Sequence, residues 1–183
     1  MRFSPTGLPG LTVVELEPHT DERGYFARIL CERELGEAGL NTRWAQSSIS
    51  FNARAGTLRG MHFQRAPFAE TKIVRCARGA IYDVAVDLRP ASPTYTRWFG
   101  LELMPDNHRM LYIPPGFGHG FVTLADASEV LYQISDYFEP SAASGVRWDD
   151  PAFAIVWPRA PEVINARDAG WPDFDRAAGA GAA

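Results

Sequence analysis

The stretch Leu58-Arg59-Gly60-Met61-His62-Phe63-Gln64 has the alternating pattern of a β-strand that carries polar groups into a sheet. Its even-numbered side chains are predicted on one face and its odd-numbered side chains on the other, which separates His62 from Arg59. After a break at Ala66-Pro67, Lys72 lies on a second predicted strand. Burying such groups in a hydrophobic sheet is costly unless they are paired, so the two strands predict a functional site.

Lys72 is the single lysine among 18 lysine and arginine residues. Lysine offers what arginine cannot, namely a compact ammonium with three rotatable donors. A lysine on a solvated strand face is the alternative interpretation. The apolar neighbours Ile73 and Val74 and the nearby His62 favour a functional role.

The composition predicts one domain with a core of its own. The chain has 183 residues, of which 46% are hydrophobic, and residues 1–175 are predicted to form a single unit. The net charge is −4 without a basic run, which disfavours nucleic acid as a partner. Residues 176–183 are rich in alanine and glycine and are predicted to be disordered.

A soluble, cytoplasmic protein is expected. The N-terminus lacks the apolar region of a signal peptide, and no segment approaches the length of a membrane span. Cys31 and Cys76 lie far apart in strand-like contexts, and we expect two free thiols in a reducing compartment.

The remaining pattern predicts a mainly β fold, a jelly-roll barrel with a few short helices. Helices are predicted at 32–38 and 166–175, the first ended by Gly39. About ten strands are predicted, over residues 11–16, 25–30, 44–51, 56–64, 71–77, 80–88, 98–104, 110–113, 120–124 and 128–137.

The run Ile113-Pro114-Pro115-Gly116-Phe117-Gly118-His119 matches the Pro-x-Gly-x-x-His turn of cupins. Prolines and glycines fix a tight turn, so His119 is expected at a defined place beside the barrel mouth, with the next strand starting at Gly120. Cupins host many chemistries, so the turn indicates the fold more than the function.

A metal centre is disfavoured. A metal cupin usually supplies His-x-His, a nearby glutamate and a later histidine, whereas this chain has Gln64 in place of the second histidine. With Glu70 and His119 added to His62, the ligand set still lacks the second histidine. The basic neighbours Arg59 and Lys72 would also repel a divalent cation.

The same groups suit acid–base chemistry beside a carbonyl. His62 can act as a base near neutral pH, and Lys72 can stabilise the negative charge that develops on an enolate oxygen. Tyr132 can return a proton from the opposite side. For Tyr132, a cavity-lining aromatic whose hydroxyl simply finds a partner remains the alternative.

An ordered set of motifs then resembles the dTDP-4-dehydrorhamnose 3,5-epimerase family, from about residue 5 to residue 172. The motifs are Asp21-x-Arg23-Gly24-x-Phe26, Gln46, Leu58-Arg59-Gly60-x-His62-Phe63-Gln64, Lys72-Ile73-Val74-Arg75, Asp83-Val84-x-Val86-Asp87-Leu88-Arg89, Ile113-Pro114-x-Gly116-Phe117-x-His119-Gly120-Phe121, Tyr132, Trp148-Asp149-Asp150-Pro151 and Arg167-Asp168.

The resemblance implies a cupin without metal or other cofactor, a homodimer, that acts on a nucleotide-linked 4-keto-6-deoxyhexose. It implies His62 as the base, Asp168 as its dyad partner, Lys72 as the enolate stabiliser and Tyr132 as the acid. The substrate-binding residues that it implies are Arg23, Phe26, Gln46, Ser48, Arg59, His119, Phe138 and Arg167.

The departures from the family pattern concern the nucleotide. Arg28 stands where the family usually has glutamate, Ser48 where it has an amide, and Ala143 where it has a second glutamate. A carboxylate acceptor for the base is therefore lost. We expect the same reaction, an inversion at C3, C5 or both, with altered base recognition.

Two other classes of function stay open at the level of the sequence. A related cupin enzyme, either a 3,4-ketoisomerase or a metal-dependent oxygenase, would move the carbonyl or lose activity on chelation. A non-catalytic sugar-nucleotide-binding module would bind ligand without exchanging protons.

Overall fold

Alternating apolar and polar residues form thirteen strands in residues 1–176, the part of the chain that the computed structural model describes. The helical elements are α1 (Glu32–Glu37), α2 (Ala166–Ala169) and a 3-10 turn at Pro105–Asn107. The strands are β1 (Arg2–Pro5), β2 (Thr12–Glu15), β3 (His19–Asp21), β4 (Gly24–Phe26), β5 (Gln46–Asn52), β6 (Leu58–Gln64), β7 (Lys72–Arg78), β8 (Ile81–Asp87), β9 (Trp98–Leu103), β10 (Arg109–Ile113), β11 (Phe117–Thr123), β12 (Ser128–Ile134) and β13 (Ala143–Gly145).

Two antiparallel sheets and one hairpin contain these strands. The order is β1-β2-β10-β7-β12-β5 in the six-stranded sheet and β13-β6-β11-β8-β9 in the five-stranded sheet, and β3 pairs with β4 alone. The predicted mainly β, jelly-roll class is confirmed. Strands β1, β3 and β13 were missed because each has only three or four residues, too few for a period of two to stand out.

The central core fills the space between the two sheets. Val74, Leu111, Phe121 and Val130 are each exposed by 1% or less and belong to one cluster. Part of each outer face is covered, because α1 places Leu35 on the six-stranded sheet and the segment around Phe153 packs on the five-stranded sheet. The core thus joins the two sheets, and side chains from both of them also line the cavity between them.

A bulge in β6 changes which side chains face this space. In the pairing of β6 with β11, His62 lies opposite His119 and Arg59 lies opposite Phe121, so three steps on β6 match two on β11. An extra residue reverses the alternation beyond it. Arg59 and His62 therefore line one cavity, and the prediction that they face opposite ways was wrong.

The predicted turn at His119 is corrected as well. Strand β11 already begins at Phe117, so His119 is its third residue and is only 4% exposed. The turn ends at Gly116, which has φ of +81°. The histidine lies within the sheet rather than beside the barrel mouth.

Apart from Arg176, the tail predicted to be disordered lies outside the described residues, and the predicted helix at 166–175 shortens to the four residues of α2. Within residues 1–176, no helix is long and apolar enough to cross a membrane.

Gly60 provides a test of the bulge. It has φ of +138°, and a Cβ atom added there would lie 2.5 Å from the Cα of Gly120. We expect Gly60→Ala to lower the free energy of unfolding by roughly 2–5 kcal/mol, since backbone strain and overpacking add. The measurement is urea denaturation.

Gly7→Ala is the matched control for this substitution. Gly7 has φ of +89°, but an added Cβ would have no neighbour within 4 Å. It should therefore show only the conformational cost, about 1–2 kcal/mol. Equal losses in the two variants would contradict the close approach of β6 and β11.

Candidate active site

A cavity of about 360 Å³ opens between the two sheets, a size typical of small-molecule sites. Eight of the twelve site residues predicted from the sequence line it, namely Ser48, Arg59, His62, Lys72, His119, Tyr132, Phe138 and Arg167. His62 comes from the five-stranded sheet, whereas Lys72 and Tyr132 come from the six-stranded sheet. The walls of the cavity thus present the predicted base and acid from opposite sides.

His62 and Asp168 form a hydrogen-bonded pair at the cavity wall. The Nε2 atom of His62 lies 2.7 Å from Oδ1 of Asp168, and the two side chains are 41% and 1% exposed, respectively. An ionised carboxylate only accepts, so Nε2 carries the proton in this pair. The other ring nitrogen, Nδ1, is then left to accept a proton from a ligand.

Asp168 is held in place by helix α2 and by strand β6. The Asn165 side chain caps α2 by accepting the Asp168 backbone N–H at 2.7 Å, and Oδ2 of Asp168 accepts the Gly60 N–H at 3.1 Å. Burial alone would raise the pKa of Asp168, but the contacts with His62 and Gly60 outweigh it and lower that pKa. Asp168 is therefore an anion placed behind the imidazole.

Lys72 is fixed by Glu70. The Nζ atom lies 2.9 Å from Oε1 of Glu70, with side-chain exposures of 12% and 6%, and it donates a second hydrogen bond to the His62 carbonyl oxygen at 3.4 Å. Two of its three N–H donors are thus engaged. The third is available to a ligand in the cavity that Lys72 lines.

A second histidine–carboxylate pair lies deeper in the cavity wall. Nε2 of His119 lies 2.7 Å from Oδ1 of Asp83, and its ring meets the Tyr132 ring edge-to-face at 6.1 Å between centroids. Burial raises the pKa of Tyr132, and the Asp83 charge adds to that effect while Arg59 opposes it. The Tyr132 hydroxyl therefore keeps its proton and can donate it.

The residues weighed as metal ligands have other contacts. Gln64 donates to the carbonyl oxygens of Phe68 and Tyr137 and accepts the Glu139 N–H, so its amide braces the loop after β12. Glu70 pairs with Lys72. Within residues 1–176, no group of three or more His, Cys, Asp or Glu side chains is placed to hold a metal ion.

The four predicted site residues that do not line the cavity differ in position. Asp168 lies directly behind His62, and Gln46 accepts the Phe138 N–H at 2.9 Å, which places Phe138 at the cavity mouth. Arg23 and Phe26 lie on the β3–β4 hairpin outside the cavity. Arg23 pairs there with Asp21, and Phe26 is 74% exposed.

Sequence reasoning missed Asp83 and Asn52, two residues that organise the site. It also did not identify Glu70 as the partner of Lys72. Asp83 interrupts the otherwise apolar run 81–86 of strand β8, and that signal could have identified it as a buried partner. Asn52 accepts the Arg59 Nε–H at 2.7 Å. This contact depends on the pairing of distant strands and has no local signal.

Known proteins of one enzyme family are similar to this chain over nearly its whole length. The family model described as dTDP-4-dehydrorhamnose 3,5-epimerase matches residues 5–176. The chain belongs to this family. The resemblance inferred from the motifs is confirmed, and the family is one of isomerases.

Individual relatives cover nearly the whole chain. A dTDP-4-dehydrorhamnose 3,5-epimerase of Methanothermobacter thermautotrophicus is 43% identical over 93% of this chain and 92% of its own length. A dTDP-4-dehydrorhamnose 3-epimerase of Streptomyces niveus is 38% identical over 92% of this chain and 81% of its own length. The crystal structure of the 3,5-epimerase of Bacillus anthracis with TDP and PPi bound superposes with a TM-score of 0.92 at 38% identity, over 94% of this chain and 99% of that one.

The lowered pKa of Asp168 predicts how stability depends on pH. Its stabilising effect is fully present above the ordinary value of 3.8 and is lost as the pH falls through the lower pKa of the folded chain. The difference in free energy of unfolding between the wild type and Asp168→Asn should thus be larger at pH 6 than at pH 3, measured by urea denaturation. An equal difference at both values would show that folding leaves this pKa unchanged.

Proposed function

We propose that the protein epimerises a nucleoside-diphosphate-linked 4-keto-6-deoxyhexose at C3, C5 or both. The observation that carries this proposal is the placement of His62 and Tyr132 on opposite walls of one cavity. Lys72 lines the same cavity from the six-stranded sheet. A base and an acid on opposite faces of a sugar ring can invert a carbon centre, which a single group on one face cannot do.

Proton abstraction is assigned to His62. Nδ1 removes the proton beside the carbonyl, and the buried Asp168 carboxylate stabilises the imidazolium that forms. The electron pair of the broken C–H bond moves into the enolate, whose oxygen Lys72 stabilises with its remaining N–H donor. The Tyr132 hydroxyl then delivers a proton to the opposite face, and the carbonyl re-forms. The His62 imidazolium returns its proton to solvent and the Tyr132 phenolate takes one up, which restores both groups for the next turnover.

The cavity mouth suits a nucleoside diphosphate. Arg59 and Arg167 line the cavity, and guanidinium groups match phosphate oxygens in geometry and charge. Phe138 is 62% exposed at the mouth and offers a face for a base. Ser48 and Ala143 also line the cavity, and their small side chains leave base recognition to shape and stacking.

A homodimer is part of the proposal. The outer face of the six-stranded sheet exposes Ile49 and Phe51 on its edge strand, and Ile29 and Phe26 are also exposed. Ile49 and Phe51 are two residues apart on β5 and so share one face, and an exposed apolar patch favours association. In a dimer, the β3–β4 hairpin of one subunit could supply Arg23 and Phe26 to the cavity of its partner, which would give both residues their expected role.

We also propose that the enzyme acts in the cytoplasm. Cys31 and Cys76 are free thiols, as expected in a reducing compartment. Burial raises the pKa of Cys76 to about 11, so this thiol is inert as a nucleophile.

Proton exchange in D₂O tests the reaction. With metal-stripped wild type and dTDP-4-keto-6-deoxyglucose, we expect deuterium at C3, C5 or both by NMR, and none with His62→Ala. A carbonyl moved to C3 would favour the ketoisomerase, and activity that depends on added metal would favour the oxygenase. Tight binding without exchange would show a non-catalytic module.

Tyr132→Phe serves as the companion variant in the same experiment. It should still release the proton and take up deuterium with retention, while inversion falls by about 10²-fold. Equal loss of exchange and inversion would contradict its role as the acid of the opposite face.

Mixing two inactive variants tests the shared site. If Arg23 and Phe26 reach the partner's cavity, the double variant Arg23→Ala/Phe26→Ala and the variant His62→Ala should complement each other after subunit exchange. About a quarter of the sites would then be intact, because half of the dimers are mixed and each has one complete site. No recovered activity, with dimers present by light scattering, would place the hairpin outside the site.

A further inference from the structure

The basic side chains of the cavity fall into two sets. Three of its basic side chains contact a carboxylate, because His62 pairs with Asp168, His119 with Asp83 and Lys72 with Glu70. Arg59 and Arg167 form no ion pair with any carboxylate in residues 1–176, although both line the cavity. Arg167 instead stacks on Trp171 at 5.3 Å. Among the basic side chains that line the cavity, these two arginines are therefore the ones without a carboxylate in direct contact within residues 1–176.

Arg59 is anchored by a neutral amide. Asn52, only 2% exposed, accepts the Arg59 Nε–H through Oδ1 at 2.7 Å. A weaker bond joins an Arg59 terminal nitrogen, Nη2, to the Phe51 carbonyl oxygen at 3.4 Å. The Nε anchor sets the direction of the guanidinium plane without adding a negative charge.

The orientation of the Asn52 amide is fixed by its surroundings. Its Nδ2 donates to the carbonyl oxygens of Ser128 at 3.2 Å and Ser50 at 3.3 Å. Those oxygens can only accept and the guanidinium can only donate, so the amide nitrogen must face the carbonyls and the amide oxygen must face Arg59. This position therefore requires a side chain with both a hydrogen-bond donor and an acceptor. A carboxylate would place an acceptor oxygen against two carbonyl oxygens and would have no donor for them.

We propose that Asn52 is a positioning residue for substrate binding, which holds the Arg59 fork toward the cavity with its charge free for a diphosphate. The proposal rests on the proposed function, because the diphosphate of a sugar nucleotide is the anion it would serve. Asn52 itself does not line the cavity and acts only through Arg59. Its loss should weaken binding of the diphosphate and leave the proton transfers at His62 intact.

The test compares Asn52→Ala with the wild type in two measurements. Steady-state epimerisation should show KM raised roughly 10-fold or more with kcat within about threefold. The Arg59 guanidinium loses the hydrogen bond that orients it, which weakens substrate binding but leaves the proton transfers unchanged. Calorimetric titration with inorganic pyrophosphate should show a Kd raised by a similar factor. Asn52→Asp should weaken both as well, because a carboxylate would compensate the Arg59 charge.

Asn41→Ala is the matched control. Asn41 also donates a side-chain hydrogen bond to a backbone carbonyl, that of Arg43 at 2.6 Å, but it does not line the cavity. This variant should lower the melting temperature without changing KM or the pyrophosphate Kd. In Asn52→Asp, the new carboxylate would face two carbonyl oxygens and destabilise the fold. The proposal is therefore tested by Asn52→Ala.

The outcomes separate the two proposals. KM and pyrophosphate Kd of folded Asn52→Ala within twofold of the wild type would overturn the role of Asn52. A fall in kcat with unchanged KM would overturn it too, since that pattern belongs to the reacting groups. If the wild type exchanges no protons yet Asn52→Ala weakens pyrophosphate binding, the positioning role stands and the proposed reaction fails.

Discussion

The hydrogen bond between His62 and Asp168 is the contact on which the site depends. It joins residues 106 positions apart and buries a carboxylate almost completely, which is unfavourable unless donors compensate the lost water. Both carboxylate oxygens receive a donor, one from the His62 ring and one from the Gly60 backbone. The C-terminal segment, helix α2 and the bulge of β6 must therefore all be in place before His62 can take its proposed role as the base.

The same principle organises the rest of the cavity. Each basic group proposed to take part in proton transfer, or to lie beside it, has a carboxylate partner that is itself buried. Such pairs contribute little net stability, because desolvation offsets their attraction. They do fix the groups before the substrate arrives, and pre-oriented charge is what stabilises an enolate. The charge proposed to bind the diphosphate is kept apart, on Arg59 and Arg167, which have no carboxylate in direct contact within residues 1–176.

Local signals in the sequence predicted much of this arrangement. Alternation identified the long strands, Gly39 marked the end of the first helix, and the single lysine pointed to the cavity wall. These features succeed because a period of two residues or a helix stop is set by neighbouring residues. The family motifs added Asp168, which no local pattern connects to His62.

Contacts between distant strands were beyond the sequence. The bulge that turns Arg59 toward His62 arises from the register of β6 on β11, and the pairing of His119 with Asp83 arises from neighbouring strands of the same sheet. Asn52 meets Arg59 because both strands border one cavity. The family motif also predicted site residues on the β3–β4 hairpin, but these residues lie outside the cavity of their own chain.

The tautomer of His62 tests the account most directly. In ¹⁵N-histidine-labelled protein near neutral pH, long-range ¹H–¹⁵N correlation spectra distinguish the two ring nitrogens, and the His62→Ala spectrum assigns the signal among the four histidines. The account predicts a proton on Nε2 and a free Nδ1, with this preference lost in Asp168→Asn. A His62 ring with its proton on Nδ1 would contradict it, because the nitrogen that must accept the substrate proton would already be occupied.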